Sequence, residues 1–287
     1  MGGGMLSRRH VLICHSCESR NLNNLVQIRI ASQHFCLLIV ILVYSHRIII
    51  SGSPFPPVRK PGERGRHRMN IQKIYDTYRI PNHLQQHMKD VAAVSHAIVE
   101  LWEGPQIDKE EIVSACLLHD MGNVVKFRFD HMEHFPEQKK IADELQELKD
   151  QFIKSYGDDD HEVTLKICSE LKVSARIYWL IENKEFKSLP QTITPNDYSL
   201  KIVGYADNRV GPNGIISLDD RIHDIKKRYS DNSQSLVSTP DRDYYFNLCY
   251  ELERQINPFT SNSLNEITKE ARTVYGTKLE FWEVSTE

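Results

Sequence analysis

Leu117-Leu118-His119-Asp120-Met121-Gly122 is the stretch on which the reading of this chain turns. An apolar run, Ile112-Val113-Ser114-Ala115-Cys116-Leu117-Leu118, leads directly into two strong metal ligands. Desolvating two ionisable groups at the end of an apolar helix is costly, and a divalent cation offsets that cost well. Neighbouring residues do not share one helical face, so the pair requires a helix end. Unwinding at Gly122 is expected to let both side chains turn toward one point. The pair alone is suggestive. It gains weight from His87 upstream and Asp207 downstream, each inside an apolar-periodic segment.

His87 precedes Val91 by four residues and Val94 by seven, which puts it on the inner side of a helix that follows Pro81. The stripe of that helix is Leu84, Met88, Val91, Ser95, Ile98 and Trp102, and Gly104-Pro105 ends it. Further helices are predicted over 109–119, 139–156, 174–183 and 197–208, the last carrying Leu200, Ile202, Val203 and Ala206 up to Asp207. Another, running to Leu171, takes Asp160 as its N-cap. Residues 123–138 read as an irregular insertion holding His131, Glu133 and His134, either a solvated loop or a lid. Residues 188–196 read as loop, with Pro190 and Pro195 as breakers. Gly211-Pro212-Asn213-Gly214 is a tight turn, and helices start again at Ser217 and at Thr239-Pro240. No strand-rich stretch is evident. The expected class is all-α, a bundle with ligands pointing inward from several helices.

A chain of 287 residues has ample length for a core. Its net charge of −3 conceals an asymmetry. Residues 1–68 hold ten Lys/Arg and two Asp/Glu, whereas 69–287 hold 26 and 37. An acidic main body argues against a nucleic-acid polymer as partner. Cysteines 14, 17, 36, 116, 168 and 249 have no framework-like spacing, which fits free thiols in a reducing, cytoplasmic setting. Residues 1–68 read as a basic extension, disordered or not native to the working protein, with Met69 as the expected start. The apolar run Phe35 to Tyr44 is about half of what a bilayer span needs, so stable membrane insertion is not expected. It keeps open a signal or anchor. Cys14-His15-Ser16-Cys17 has zinc-knuckle spacing without a second ligand pair. Residues 69–231 are expected to form the metal-binding helical domain, and 232–287 a helical C-terminal extension.

Taken together these residues resemble the HD-domain superfamily of metal-dependent phosphohydrolases. The matching stretches are His87-Met88-Lys89-Asp90-Val91-Ala92, Leu117-Leu118-His119-Asp120-Met121-Gly122 and Ile202-Val203-Gly204-Tyr205-Ala206-Asp207. The resemblance implies an HD-like helical bundle and a ligand set of His87, His119, Asp120 and Asp207. Three departures matter. Many members carry Lys directly after the Gly that follows the His-Asp pair, where this chain has Asn123, with Lys126 nearby. The paired histidines and Gly-Tyr-Pro signature of cyclic-dinucleotide hydrolases are missing from Glu182-Asn183-Lys184-Glu185-Phe186, which argues against that substrate. His161-Glu162 falls where dinuclear members carry an extra His, so His161 is expected to bind a second metal or contact phosphate.

Mixed imidazole and carboxylate ligands suit Mn²⁺, Fe²⁺, Co²⁺, Ni²⁺ or Zn²⁺ and match Ca²⁺ poorly. Asp120 is the expected catalytic residue, a free second oxygen orienting the attacking water. Phosphate charge calls for cations beside the ion, and Lys184, Arg209, Lys126 and His83 are the candidate substrate contacts. The function expected is hydrolysis of a phosphoester of a nucleotide or small phosphorylated metabolite. Two other classes fit the same residues. One is an HD fold that holds a nucleotide without turning it over. The other is a di-iron oxygenase, which would need His161 and one of His131 or His134 as added ligands.

Overall fold

The apolar stripes along 82–100, 109–118, 175–183 and 198–207 pack against one another in the computed structural model of the chain, which describes residues 67–127, 142–229 and 239–286. Strand β1 (His67–Asn70) runs into α1 (Ile71–Thr77), where the Asn70 side chain accepts from the N–H groups of Gln72 and Lys73. Helix α2 (Asn82–Glu100) buries Leu84, Met88, Val91, Val94 and Ile98, as its periodicity predicts. Helix α3 (Lys109–Leu118) is capped by Asp108, which accepts from Glu111 N–H, and acidic Glu110 and Glu111 suit its first turn. Every residue from Ile112 to Leu118 is buried, so α3 is the central rod. A helix apolar on all sides must be wrapped on all sides.

A 3₁₀ turn (Met121–Lys126) follows it, and then α4 (Ala142–Tyr156), α5 (Asp160–Glu170) and α6 (Ala175–Asn183). The cap of α5 is Asp159, one residue earlier than expected, accepting from Glu162 N–H at 2.9 Å. The stretch 188–196 is not plain loop. It holds a 3₁₀ turn (Phe186–Ser188) and α7 (Leu189–Ile193), with Pro190 in the first helical turn, where its missing N–H costs nothing. Helix α8 (Tyr198–Asp207), capped by Asp197, ends at the predicted ligand. The Gly-Pro-Asn-Gly turn closes a hairpin of β2 (Val210–Gly211) and β3 (Gly214–Ile215). Short strands are therefore present, although the body is helical.

The helices of the C-terminal extension pack on the bundle. After α9 (Leu218–Tyr229), α10 (Thr239–Ile256) lies on α7 and α8. Helix α11 (Glu270–Glu280) lies on α2, and β4 (Glu283–Thr286) pairs antiparallel with β1, Thr286 opposite His67. Arg272 of α11 grips the buried Asp90 of α2, Nε donating to Oδ1 at 2.6 Å and Nη2 to Oδ2. The free cysteines Cys116, Cys168 and Cys249 are all buried, and burial pushes the Cys116 and Cys168 thiols up to about 12. Among the described residues no helix is long and apolar enough to cross a membrane. The cysteine pair 14/17, the apolar run 35–44 and the histidines at 131 and 134 lie outside the described residues.

Gly122 does a different task from the one expected of it. The chain leaves the helix at His119 and Asp120, whose backbone (φ −126°, ψ 21°) starts the 3₁₀ turn. Gly122 instead lets that turn press against the start of α5. Its N–H donates to Thr164 Oγ1 at 2.9 Å, and a Cβ here would lie 2.1 Å from the Asp160 carbonyl oxygen and 2.7 Å from Thr164 N. Those are backbone atoms, so Gly122→Ala must move a helix, at a cost of roughly 3 kcal/mol or more. Gly276, inside α11, has nothing within 4 Å of such a Cβ. Gly276→Ala is expected to add about 0.5–1 kcal/mol. Urea unfolding midpoints of the two variants should therefore move in opposite directions.

Candidate metal centre

Helix α2 delivers His87, the end of α3 delivers His119 and Asp120, and the end of α8 delivers Asp207. The four predicted ligands meet. His119 Nε2 lies 3.5 Å from Asp120 Oδ2 and 3.4 Å from Asp207 Oδ1. His87 Nε2 lies 3.5 Å and 3.7 Å from the same two oxygens. One ligand atom each from His87, His119 and Asp207 falls within 4.8 Å of the others, and Asp120 joins them through both imidazoles. Donors bound about 2.1 Å from one ion stand roughly 3.0–3.4 Å apart in octahedral or tetrahedral arrangements, close to these separations.

The tautomer of His119 supports the same reading. Its Nδ1 faces the Cys116 carbonyl at 2.7 Å, and a carbonyl only accepts, so Nδ1 carries the proton. In the neutral ring Nε2 then presents a lone pair. That atom is buried and has no hydrogen-bond partner among the described residues. A buried acceptor left unpaired is costly, and a cation on the carboxylate side would satisfy it. The residues present therefore fit a divalent ion. The His119 side chain is 1% exposed and forms the floor, while His87 and Asp207, at 26% and 30%, stand at the mouth.

Lys184, at the C-cap of α6, is placed in the cluster as expected, but against the carboxylates. Its Nζ donates to Asp120 Oδ1 at 3.1 Å and to Asp207 Oδ2 at 3.3 Å. Each aspartate thus turns one oxygen to the amine and the other to the imidazoles. Burial disfavours charge on Asp120, Asp207 and Lys184 alike, yet their mutual attraction prevails. A protonated His119, together with Lys184, holds the Asp120 carboxyl, and Lys184 with that imidazolium the Asp207 carboxyl, well below the usual carboxylate range. The two aspartates keep the Lys184 amine protonated. Burial also opposes charge on His87, but hydrogen bonds and charge from Asp120 and Asp207 raise it to about 9.

Other expectations need correction. Both oxygens of Asp120 carry a hydrogen bond, Asn123 Nδ2 donating to Oδ2 and Lys184 Nζ to Oδ1, so the second oxygen expected to be free is held by the amine. Asn123, met in the sequence only as a departure, is the residue that fixes the carboxylate plane. Arg209 does not reach the cluster. It is 1% exposed, and its guanidinium donates to the carbonyls of Ile216, Leu264 and Ile267 and to Tyr205 Oη, tying α8 to the C-terminal segment. Lys126 pairs with Asp160 at 2.6 Å on the surface. His83 lies over Phe127 with centroids 5.0 Å apart, and burial followed by the charge of His87 lowers its pKa. His161 Nδ1 pairs with Glu185 Oε1 at 3.3 Å, and Glu185 in turn lies 3.9 Å from Lys184. The Glu185 hydrogen bond raises the His161 pKa. Glu185 went unnoticed in the sequence, where its position directly after Lys184 was the one available signal.

Residues 84–209 match the family model of the HD domain. No curated protein and no solved structure matches the chain. All four converging ligands fall inside the matched span, on helices in the order that the sequence implied. Residues 84–209 are therefore similar to the HD domain, whose superfamily is generally one of metal-dependent hydrolases.

Proposed function

We propose that this HD domain hydrolyses a phosphoester of a nucleotide or a related small phosphorylated metabolite, with a divalent metal held by His87, His119, Asp120 and Asp207. The observation that carries the proposal is the buried, unpartnered Nε2 of His119 facing one oxygen of each aspartate. When bound there, a divalent ion acidifies water and polarises a phosphoryl oxygen.

The chain's own residues supply the rest. Two aspartates and one lysine leave the cluster with one net negative charge when the histidines are neutral. In the empty site protonated His87 cancels that charge, and a divalent cation replacing the proton leaves the cluster net positive, so the filled site attracts a phosphate anion more strongly than the empty one. Asn123 and Lys184 pin Asp120 from both sides, which keeps the floor rigid and spares reorganisation during the reaction. Asp207, the more exposed carboxylate, is the one that water reaches from the mouth. His161, its pKa raised by the Glu185 hydrogen bond, is the candidate contact for an outer phosphate oxygen, and Lys126 and His83 stand in the segments that flank the site.

A panel of phosphorylated metabolites, assayed for phosphate release with Mn²⁺, Co²⁺, Ni²⁺, Fe²⁺ or Zn²⁺, tests this directly. His119→Ala and Asp207→Ala are expected to lower kcat/KM at least roughly 10²-fold with the circular dichroism spectrum retained. Turnover unchanged in both variants would remove the proposal.

The pH response has a definite sign. In the metal-free protein His87 binds a proton more tightly than in the unfolded chain, with a pKa raised from 6.5 to about 9. Its contribution to stability is full below pH 6.5 and is lost as pH rises through about 9. Metal uptake expels that same proton, so apparent metal affinity should rise over the same interval. Thermal melts should show Tm of the metal-free protein falling from pH 6.5 to 9 while the metal-induced increment in Tm grows. An increment independent of pH across this window would contradict the assignment of His87.

A further inference from the structure

We infer that Lys184 sets the metal count of this centre at one, its ammonium group standing where a second divalent cation would bind. The inference rests on the reading of His87, His119, Asp120 and Asp207 as a metal site. Each aspartate divides its oxygens between two places. Asp120 Oδ2 and Asp207 Oδ1 face the imidazoles, while Asp120 Oδ1 and Asp207 Oδ2 face the Lys184 amine at 3.1 and 3.3 Å. Such a pair of carboxylates is built to bridge two cations. One of the two places is already filled.

The surroundings of the amine complete the comparison. Glu185 Oε1 lies 3.9 Å from Lys184 Nζ, and His161 Nδ1 lies 3.3 Å from that same oxygen. Three carboxylates with an imidazole behind them form the mixed oxygen and nitrogen set that divalent transition metals take. In this chain the set encloses a primary ammonium whose side chain is only 5% exposed. The amine is therefore held inside the cluster rather than reaching out from its rim. A second divalent ion sharing those oxygens would meet a fixed positive charge at close range, and mutual repulsion in a poorly solvated site is strong. Two of the three N–H groups of Lys184 are spent on Asp120 and Asp207, so neutralising the aspartates, rather than gripping substrate, is its main task. The same geometry weighs against a two-iron oxygen chemistry.

The test counts ions rather than turnover. Metal-free full-length chain is loaded with excess Mn²⁺, freed of unbound metal by gel filtration, and analysed by elemental mass spectrometry and electron paramagnetic resonance. The wild type and Lys184→Arg should each hold one Mn²⁺ with the six-line signal of an isolated ion. Lys184→Ala should hold two, with an exchange-coupled signal. Should the alanine variant fail to fold by circular dichroism, Lys184→His, which puts a metal donor where the amine was, is expected to hold two. Two ions in the wild type, or a folded Lys184→Ala or Lys184→His that still holds one, would overturn the inference. Two ions in a wild type that releases phosphate would leave the hydrolase reading intact. A wild type that takes up no metal would overturn both.

Discussion

Two carboxylates that share one side of a buried cluster repel each other, and everything around Asp120 and Asp207 answers that repulsion. Lys184 answers it from one side, and His87 and His119 from the other. Neutralising buried charge takes groups held in fixed places, because a partner that can swing away leaves the charge exposed to an apolar interior. This explains why His119, Asp120 and Asp207 sit at the ends of packed helices. Helix α3 is buried around its whole circumference from Ile112 to Leu118 and stops where His119 and Asp120 follow. Helix α8, also largely buried, stops at Asp207. Each helix is fixed by the core, and its last residue takes its place with no freedom of its own.

The same constraint orders the residues one shell out. The Nδ1 proton of His119 is committed to the Cys116 carbonyl, so the lone pair must point into the cluster. Asn123 fills one oxygen of Asp120 and Lys184 the other. Gly122, between His119-Asp120 and Asn123-Lys126, lets the connecting turn lie directly on α5, the helix that carries His161. Preorganisation of this kind is what an electrostatically driven hydrolysis needs, because dipoles already aimed do not have to be rearranged.

The sequence disclosed the parts of this arrangement that follow from local pattern. The stripe of α2 and the apolar run of α3 announced their helices through periodicity, and His87, His119, Asp120 and Asp207 stood out because charged residues interrupt those patterns. What it hid depends on contacts between distant segments. Arg209 looked like a substrate contact because it follows Asp207, yet its side chain turns back to carbonyls at 216, 264 and 267 that no local pattern places nearby. Lys184 was legible as a cation near the site, but not as one shared between two ligands. Glu185 was marked only by the adjacent Lys184, and Asn123 only as a departure from the family pattern, so neither contact could be read from its neighbours. Gly122 was visible as a helix terminator, and only the proximity of Asp160 and Thr164 reveals that space rather than backbone freedom is what it provides. Strands β1 and β4 escaped notice because each is too short to show alternation and each needs the other.

The clasp between Asp90 and Arg272 carries a temporal consequence. Asp90 lies one turn beyond His87 on α2, is almost wholly buried, and finds its counter-ion 182 residues later in the chain. During synthesis the ribosome releases α2, α3 and α8 well before Arg272 emerges, so the helix bearing the first ligand waits without its charge partner or the helix that covers it. The final packing of α2 around His87 therefore depends on a helix that follows all the other site-bearing helices in the chain.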